Sequence, residues 1–164
     1  MSENFDWLPD LITLGAYDGD WPNYCEAIYA IFHRDFVESK PTYTGKRFAL
    51  KRHPEYDGKA ATFWHLISEG KDEEERTPVM RRCERIAWPK PIIEANGDEN
   101  VRIWKNRRGR SERILIAVED FSYVVILDDR EDFVLLWTAY YVQYPNQRRR
   151  MEREYEEWRA QNEP

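Results

Sequence analysis

The sequence predicts an α+β fold in which N-terminal helices pack on a four-stranded antiparallel meander, followed by a charged C-terminal helix. Helical spacing of apolar residues dominates the first half of the chain. Four β-rich runs with short connections come after it: "NVRIWKN", "ERILIAVED", "SYVVILDD" and "DFVLLWTAYYV". The length of 164 residues is that of one domain. We therefore expect a single domain over residues 1–164, with an irregular segment at 1–19.

The first helix is predicted in residues 19–39, "GDWPNYCEAIYAIFHRDFVES". Asp20 can cap it, and Pro22 suits the first turn. Its apolar residues recur at helical spacing, which predicts a core-facing stripe. They are Tyr24, Ile28, Ile31 and Phe32.

Shorter elements are predicted between this helix and the sheet. "KRFALKR", residues 46–52, is a strand candidate between turn signals. Residues 61–69 predict a helix, and residues 74–88, "EERTPVMRRCERIAW", predict another that begins near Pro78. The stretch "PKPIIEANGDEN", residues 89–100, is interpreted as a turn that ends this unit.

The predicted C-terminal helix, "NQRRRMEREYEEWRAQ", has Arg148, Arg149 and Arg150 near its start. The helix dipole disfavours cations at that end, and the glutamates that follow offset part of this cost. The three arginines can serve an anion contact, or they can belong to a solvated charged helix.

The charge distribution is uneven. The chain has a formal net charge of −6 and a pI of about 5.2, which argues against a protein that coats nucleic acid nonspecifically. Residues 102–113, "RIWKNRRGRSER", hold six basic residues against one acid, a local charge of +5, while acids gather at 71–75 and 128–133. The basic segment can bind an RNA backbone, or it can be a solvated loop.

No stretch has the length and apolar character of a membrane span, and the acidic start "MSENFDWLPD" lacks the order of a signal peptide. We therefore expect a cytoplasmic protein without a membrane partner. Cys25 and Cys83 form no CxxC or CxxH pair, which predicts two buried thiols rather than a structural zinc site.

His65 is the histidine whose position is most informative. On a helix, Phe63 and Ile67 lie about 160° around the axis from His65 and are predicted to face the core. His65 then shares its face with small and polar residues, namely Ala61, Thr62, Ser68 and Glu69. It is either an ordinary surface residue or one that lines a cleft, where Glu69 can orient the ring or raise its pKa.

Arginines on the next helix can join this histidine. Arg81 and Arg85 are four residues apart and face the same side, with Arg82 one step around. Arginines so placed can clamp a phosphate, although salt bridges to nearby glutamates are the alternative.

The last strand offers two hydroxyls. Strict alternation in "LLWTAYYV" puts Leu136, Thr138, Tyr140 and Val142 on one face, so that Thr138 and Tyr140 can both reach a phosphate. The alternative is that both residues occur here because they favour strands.

The order of these segments resembles the BECR superfamily of metal-independent nucleases, which includes barnase, EndoU, the colicin tRNases and RelE. The phage- and prophage-associated branch is the most similar. The resemblance spans residues 47–155 and depends on "RHPEYDGKAATFWH", "RRCERIAW" and "LWTAYYV", with the sheet between them.

The resemblance implies roles for individual residues. His65 matches the helix histidine that acts as general acid or base, and His53 in "KRHP" is a candidate for the second member of the acid–base pair. Arg85, with Arg82 near it, matches the cation that engages phosphate, and Thr138 and Tyr140 match the hydroxyl-bearing residues of the last strand. Further candidates for phosphate binding are Arg81 and Lys105.

The implied reaction needs no metal or cofactor. A ribose 2′-hydroxyl attacks the adjacent phosphorus and leaves a 2′,3′-cyclic phosphate, so that RNA is cut and DNA is inert. The acidic composition favours a narrow substrate such as a tRNA loop or ribosome-bound RNA. A toxin of this type would need an antitoxin or immunity protein. The alternative is a noncatalytic module that binds nucleic acid or protein, or an accessory protein of phage or plasmid origin.

Overall fold

A main sheet of five strands and a two-stranded ribbon organise the protein, which a computed structural model describes over residues 5–70 and 76–162. In chain order the strands are β1 (Arg47–Ala49), β2 (Ser68–Glu69), β3 (Thr77–Pro78), β4 (Val101–Arg108), β5 (Ser111–Val118), β6 (Tyr123–Asp129) and β7 (Phe133–Tyr141). The α-helices are α1 (Trp21–His33), α2 (Ala61–Ile67), α3 (Met80–Glu84), α4 (Pro89–Glu94) and α5 (Pro145–Asn162).

The main sheet has the strand order β1-β7-β6-β5-β4. Strands β4 to β7 form the predicted antiparallel meander, while β2 and β3 pair separately. Strand β1 adds a fifth strand that runs parallel to β7. The α+β class is thus confirmed, but the sheet has five strands rather than four and is mixed rather than wholly antiparallel.

Side-chain contacts hold β1 beside β7. The ammonium of Lys46 lies 3.0 Å from Oδ1 of Asp129 at the end of β6. The guanidinium of Arg47 lies 5.4 Å from the ring centroid of Phe133, its partner in the strand register. These contacts join distant parts of the chain. The pattern of residues 46–52 can therefore predict a strand, but it cannot show which strand pairs with it.

Helix α1 follows the sequence prediction. Asp20 caps it by accepting a hydrogen bond from the backbone N–H of Asn23, and a proline occupies the first turn. Tyr24, Ile28 and Phe32 are completely buried. A π-helical turn at Arg34–Glu38 and a 3₁₀ helix at Leu14–Tyr17 flank α1.

The middle helices differ from their predictions. Helix α2 ends at Ile67 because Ser68 and Glu69 pair with the strand β3. Helix α3 is only five residues long, and Arg85 lies just beyond it. Residues 89–94, interpreted as a turn, form α4, because prolines in a first helical turn remove N–H groups that have no partner inside the helix.

Two hydrophobic clusters cover the two faces of the sheet. On the face that we call inner, Ile116, Val125 and Leu136 pack with aromatic residues of α1 and α2. On the outer face, Trp104, Phe121 and Val124 pack against Met151, Tyr155 and Trp158 of α5. Helix α5 therefore covers the outer face, where the site described below is formed.

The N-terminal residues 5–13 are irregular but packed: the indole of Trp88 donates a hydrogen bond to the Pro9 oxygen at 2.8 Å. Cys25 and Cys83 are buried free thiols, as predicted. The acidic cluster at 71–75 lies outside the described residues. Among the described helices, none combines the length and apolar character needed to span a membrane.

Candidate nucleic-acid interface

A cleft of about 430 Å³ opens between the outer face of the sheet and the first half of α5. We call it the outer cleft. Side chains alternate along β4 and β5, so Trp104, Asn106 and Arg108 share the outer face, as do Arg113 and Leu115. In both strands, the residues on the outer face change from apolar to polar toward the β4–β5 turn. The outer face therefore binds α5 at one end and presents arginines at the other.

Four arginines line the outer cleft, and one of them forms an ion pair among the described residues. Arg107 forms an ion pair with Glu112 at 2.9 Å. No carboxylate of the described residues lies within ion-pairing distance of Arg108, Arg113 or Arg150. These three arginines concentrate positive charge in a protein whose formal net charge is −6.

Arg113 is the arginine most strongly affected by this arrangement. Burial lowers the pKa of its guanidinium and the neighbouring charge of Arg108 lowers that pKa further, while Asp128, its partner on β6, opposes the shift. Its Nε is buried and has no hydrogen-bond acceptor among the described residues. A buried donor without an acceptor costs about 1–3 kcal/mol.

Tyr140 lies in the same cleft, with the guanidinium of Arg82 5.4 Å from its ring centroid. Burial raises the pKa of its hydroxyl, and the charges of Arg82, Arg108, Arg150 and Arg113 oppose that rise without cancelling it. Tyr140 therefore keeps its proton at neutral pH and can donate a hydrogen bond to a phosphate oxygen.

Glu154 is the acidic residue of the cleft lining. Its Oε1 accepts hydrogen bonds from the indole of Trp104 and the amide of Asn106, both at 2.7 Å. No described residue donates to Oε2, and the buried Oδ1 of Asn106 likewise has no donor among the described residues. The cleft thus combines cationic donors with a carboxylate acceptor.

His65 borders this cleft rather than lining it. Its ring lies 5.7 Å from the ring of Trp137, which in turn lies 5.4 Å from the guanidinium of Arg113. Phe63 and Ile67 are completely buried, as predicted, whereas His65 is half-buried. Glu69 lies in β2, with its carboxylate 3.9 Å from Nη2 of Arg82.

A bulge in β7 changes the predicted alternation of this strand. Thr138 pairs with Ile126 and Leu136 pairs with Leu127, so that Trp137 is the extra residue. Leu136 therefore faces the inner core and Trp137 joins the outer cluster, which corrects the prediction for both residues. Thr138 and Tyr140 stay on a common face, but the hydroxyl of Thr138 donates to the backbone oxygen of His65 at 3.0 Å.

Arg85 and Arg81 lie around the next residue of β7. Their guanidiniums are 4.5 and 4.9 Å from the ring centroid of Tyr141, which packs on the inner core. Arg85 is 3% exposed, and its Nη1 donates to the Arg81 oxygen at 3.0 Å. Arg85 is thus a buried residue of the inner side, whereas Arg81 is exposed to solvent.

Arg82 lies between these two groups. It donates to the Ser68 oxygen at 2.9 Å, and burial lowers the pKa of its guanidinium. Its position over Tyr140 brings it to the edge of the outer cleft.

The other two predicted residues lie elsewhere. His53 is exposed in the loop that leads into α2, one residue beyond Arg52, whose oxygen accepts from the N–H of Ala61. It is therefore beside the start of α2, while His65 is in its last turn. Lys105 pairs with the inner-face residue Ile114, and its ammonium is 3.8 Å from Oδ2 of Asp129.

Only some of the residues that line the cleft could be recognised from the sequence. Arg108 and Arg113 belong to the basic segment, and Arg150 belongs to the arginine run of the last helix. Glu154 and Asn106 gave no signal, because their role depends on α5 packing on the outer face. The alternation of Trp104, Asn106 and Arg108 was the one pattern that could have identified them.

Comparisons of the chain with protein-family models, with curated proteins and with solved structures find no match. The resemblance to the BECR superfamily therefore stays a prediction.

Proposed function

We propose that this protein binds single-stranded RNA, with the sugar–phosphate backbone in the outer cleft. The observation that carries the proposal is the grouping of Arg108, Arg113 and Arg150 with no carboxylate of the described residues within ion-pairing distance. Arginine binds phosphate through charge and through planar, paired hydrogen bonds. A phosphate in the cleft would offset the mutual repulsion of the three guanidiniums.

A carboxylate oxygen favours RNA over DNA as the ligand. Phosphates and sugars of DNA offer acceptors, whereas the ribose 2′-hydroxyl also donates a hydrogen bond. Oε2 of Glu154 can accept that bond. The half-buried ring of Tyr140 offers a surface on which an unpaired base can stack.

The binding proposal is tested by fluorescence anisotropy with a labelled octanucleotide, as RNA and as DNA of the same sequence. Wild-type protein is expected to prefer RNA, and Arg108→Gln and Arg150→Gln are each expected to weaken RNA binding about tenfold. Arg110→Gln is the matched control, because Arg110 is exposed in the same hairpin and does not line the cleft. Equal affinities in all four proteins would reject the outer cleft as the binding site.

A second candidate function is metal-independent cleavage of the bound RNA, which the carboxylate of Glu154 favours. In the proposed step, Glu154 takes the proton of a 2′-hydroxyl, the 2′-oxygen bonds to phosphorus, and the bond from phosphorus to the 5′-oxygen breaks. Tyr140 donates its proton to the departing 5′-oxygen, and the arginines stabilise the charge on the phosphoryl oxygens. The products are a 2′,3′-cyclic phosphate and a 5′-hydroxyl.

The resemblance assigns proton transfer to His65 instead, and its ring borders the cleft through Trp137. The same resemblance gives the proposal that such an enzyme acts as a toxin, restrained by an antitoxin or immunity protein. Incubation of total RNA in EDTA with wild type and with His65→Ala tests this assignment. Loss of the fragments in the variant would support His65, and unchanged fragments would exclude it.

A further inference from the structure

Three guanidiniums surround the ring of Tyr141 at the end of β7. Those of Arg81, Arg85 and Arg148 lie 4.9, 4.5 and 5.4 Å from its centroid. Glu84 lies 3.8 Å from Arg85, but no carboxylate of the described residues is within ion-pairing distance of Arg81 or Arg148. Two cations held close together in this way cost electrostatic energy that a bound anion would offset.

Arg148 and Arg81 present this charge in different ways. Arg148 is fixed, because its Nε donates to the Val142 oxygen at 2.8 Å and its Nη2 donates to the Tyr141 hydroxyl at 3.0 Å. Arg81 is exposed and reaches the ring from α3. Between them they offer one rigid and one adaptable guanidinium beside Tyr141.

This group lies on the opposite face of β7 from the outer cleft, and the two meet at the end of the strand. Tyr141 faces the inner core and contacts Arg81, whereas Tyr140 faces the cleft and contacts Arg82, the next residue of α3. On α5, Arg148 and Arg150 are two residues apart and project about 200° apart around the helix axis, Arg148 toward Tyr141 and Arg150 into the cleft. Strand β1 pairs only with residues 133–135 of β7, so it does not cover this end of the strand. Cationic side chains therefore lie around the end of β7, from the outer cleft to Tyr141.

We infer that Arg81 and Arg148 form a second phosphate site, which binds the same RNA strand as the outer cleft. This inference rests on the proposed function and deepens it by naming the ligand class: an oligonucleotide long enough to fill both sites, rather than a nucleotide or dinucleotide. Arg85 is buried and is therefore not part of this site. Once part of the RNA strand is bound at one site, the rest of the same strand binds the other site at a high effective concentration.

The test uses a length series of oligouridylates, from two to eight nucleotides, bound to the full chain. Affinity is expected to rise by more than about tenfold between the dimer and the octamer. Arg81→Gln is expected to weaken octamer binding about five- to tenfold and to reduce the slope of log affinity against log salt by about 0.7, the value for one phosphate contact on a single strand.

Arg47→Gln is the matched control, since Arg47 is also exposed and lies 5.4 Å from an aromatic ring of β7, at the opposite end of the strand. It is expected to keep wild-type affinity and slope. If Arg81→Gln and Arg47→Gln bind the octamer equally well, or if affinity does not change with length, the second site is disproved. If the outer cleft does not bind RNA at all, Arg108→Gln has no effect on RNA affinity. This result distinguishes rejection of the outer cleft from rejection of the second site alone.

Discussion

The hydroxyl of Thr138 donates a hydrogen bond to the backbone oxygen of His65 across 3.0 Å. This bond joins the last turn of α2 to the strand that carries Tyr140, next to the bulge at Trp137. It gives Thr138 a structural function and brings the ring of His65 to the border of the outer cleft.

Thr138→Val is expected to lower the free energy of unfolding by about 1–2 kcal/mol, because the His65 oxygen loses its donor. Thr138→Ser keeps the hydroxyl and serves as the control. Urea denaturation of the three proteins measures the effect. Equal stability of the Thr138→Val variant and the wild-type protein would mean that this hydrogen bond adds nothing to stability.

Glu154→Gln separates binding from cleavage. Removing the negative charge from a cleft that binds a polyanion is expected to tighten RNA binding by a few fold, whereas the 2′-hydroxyl loses its base. RNA affinity and the formation of 2′,3′-cyclic phosphate ends in EDTA measure the two effects. Wild-type cleavage by the variant would remove Glu154 from the reaction.

Tyr140→Phe tests the proposed general acid. Loss of the proton donor is expected to lower the cleavage rate by about 10²-fold or more, while stacking on the ring and RNA affinity stay nearly unchanged. Single-turnover cleavage with saturating protein isolates the chemical step. A rate within about twofold of wild type would show that another group protonates the leaving oxygen.

The pH dependence of stability tests the contact between Lys46 and Asp129. Burial by itself raises the pKa of Asp129, but the hydrogen bond and charge of Lys46, the Glu131 N–H and the charge of Lys105 lower it below the usual value. A carboxyl with a lowered folded-state pKa stabilises the protein above its unfolded pKa, about 3.9, and this contribution is lost as pH falls through the folded pKa.

Lys46→Met is therefore expected to be less stable than wild type above about pH 5, with a difference that shrinks below about pH 4. Urea denaturation across this range measures it. A difference that does not vary with pH would show that the lysine stabilises the protein through packing rather than charge.

The sequence was informative where local periodicity determines structure. The cap at Asp20 and the buried stripe of α1 followed from spacing, as did the strands β4 to β7. The pairing of β1 with β7 was not predictable, because it depends on contacts such as that between Lys46 and Asp129. Helix α4 was not predicted, because proline is common both in loops and in the first turn of a helix. The two prolines of residues 89–91 therefore could not distinguish the two.

The candidate site was predicted only in part for the same reason. The resemblance grouped Arg85, with Arg82 near it, with Tyr140. Arg82 does contact the ring of Tyr140, whereas Arg85 is buried beside Tyr141. The bulge at Trp137 and the packing of α5 on the outer face are tertiary features, and they determine which arginines meet. Without these features the sequence could not place Arg113 and Glu154 in one cleft.

The most direct test of the account is the NMR signal of the Arg113 Nε–H group, assigned with Arg113→Lys and followed during titration with an RNA octanucleotide. A phosphate that binds the Arg113 guanidinium changes the electron distribution of the whole group, so the Nε proton signal should shift even though Nε itself is buried. This shift is expected to saturate with the dissociation constant measured by anisotropy. A signal that stays in place while RNA binds would locate the RNA on another surface.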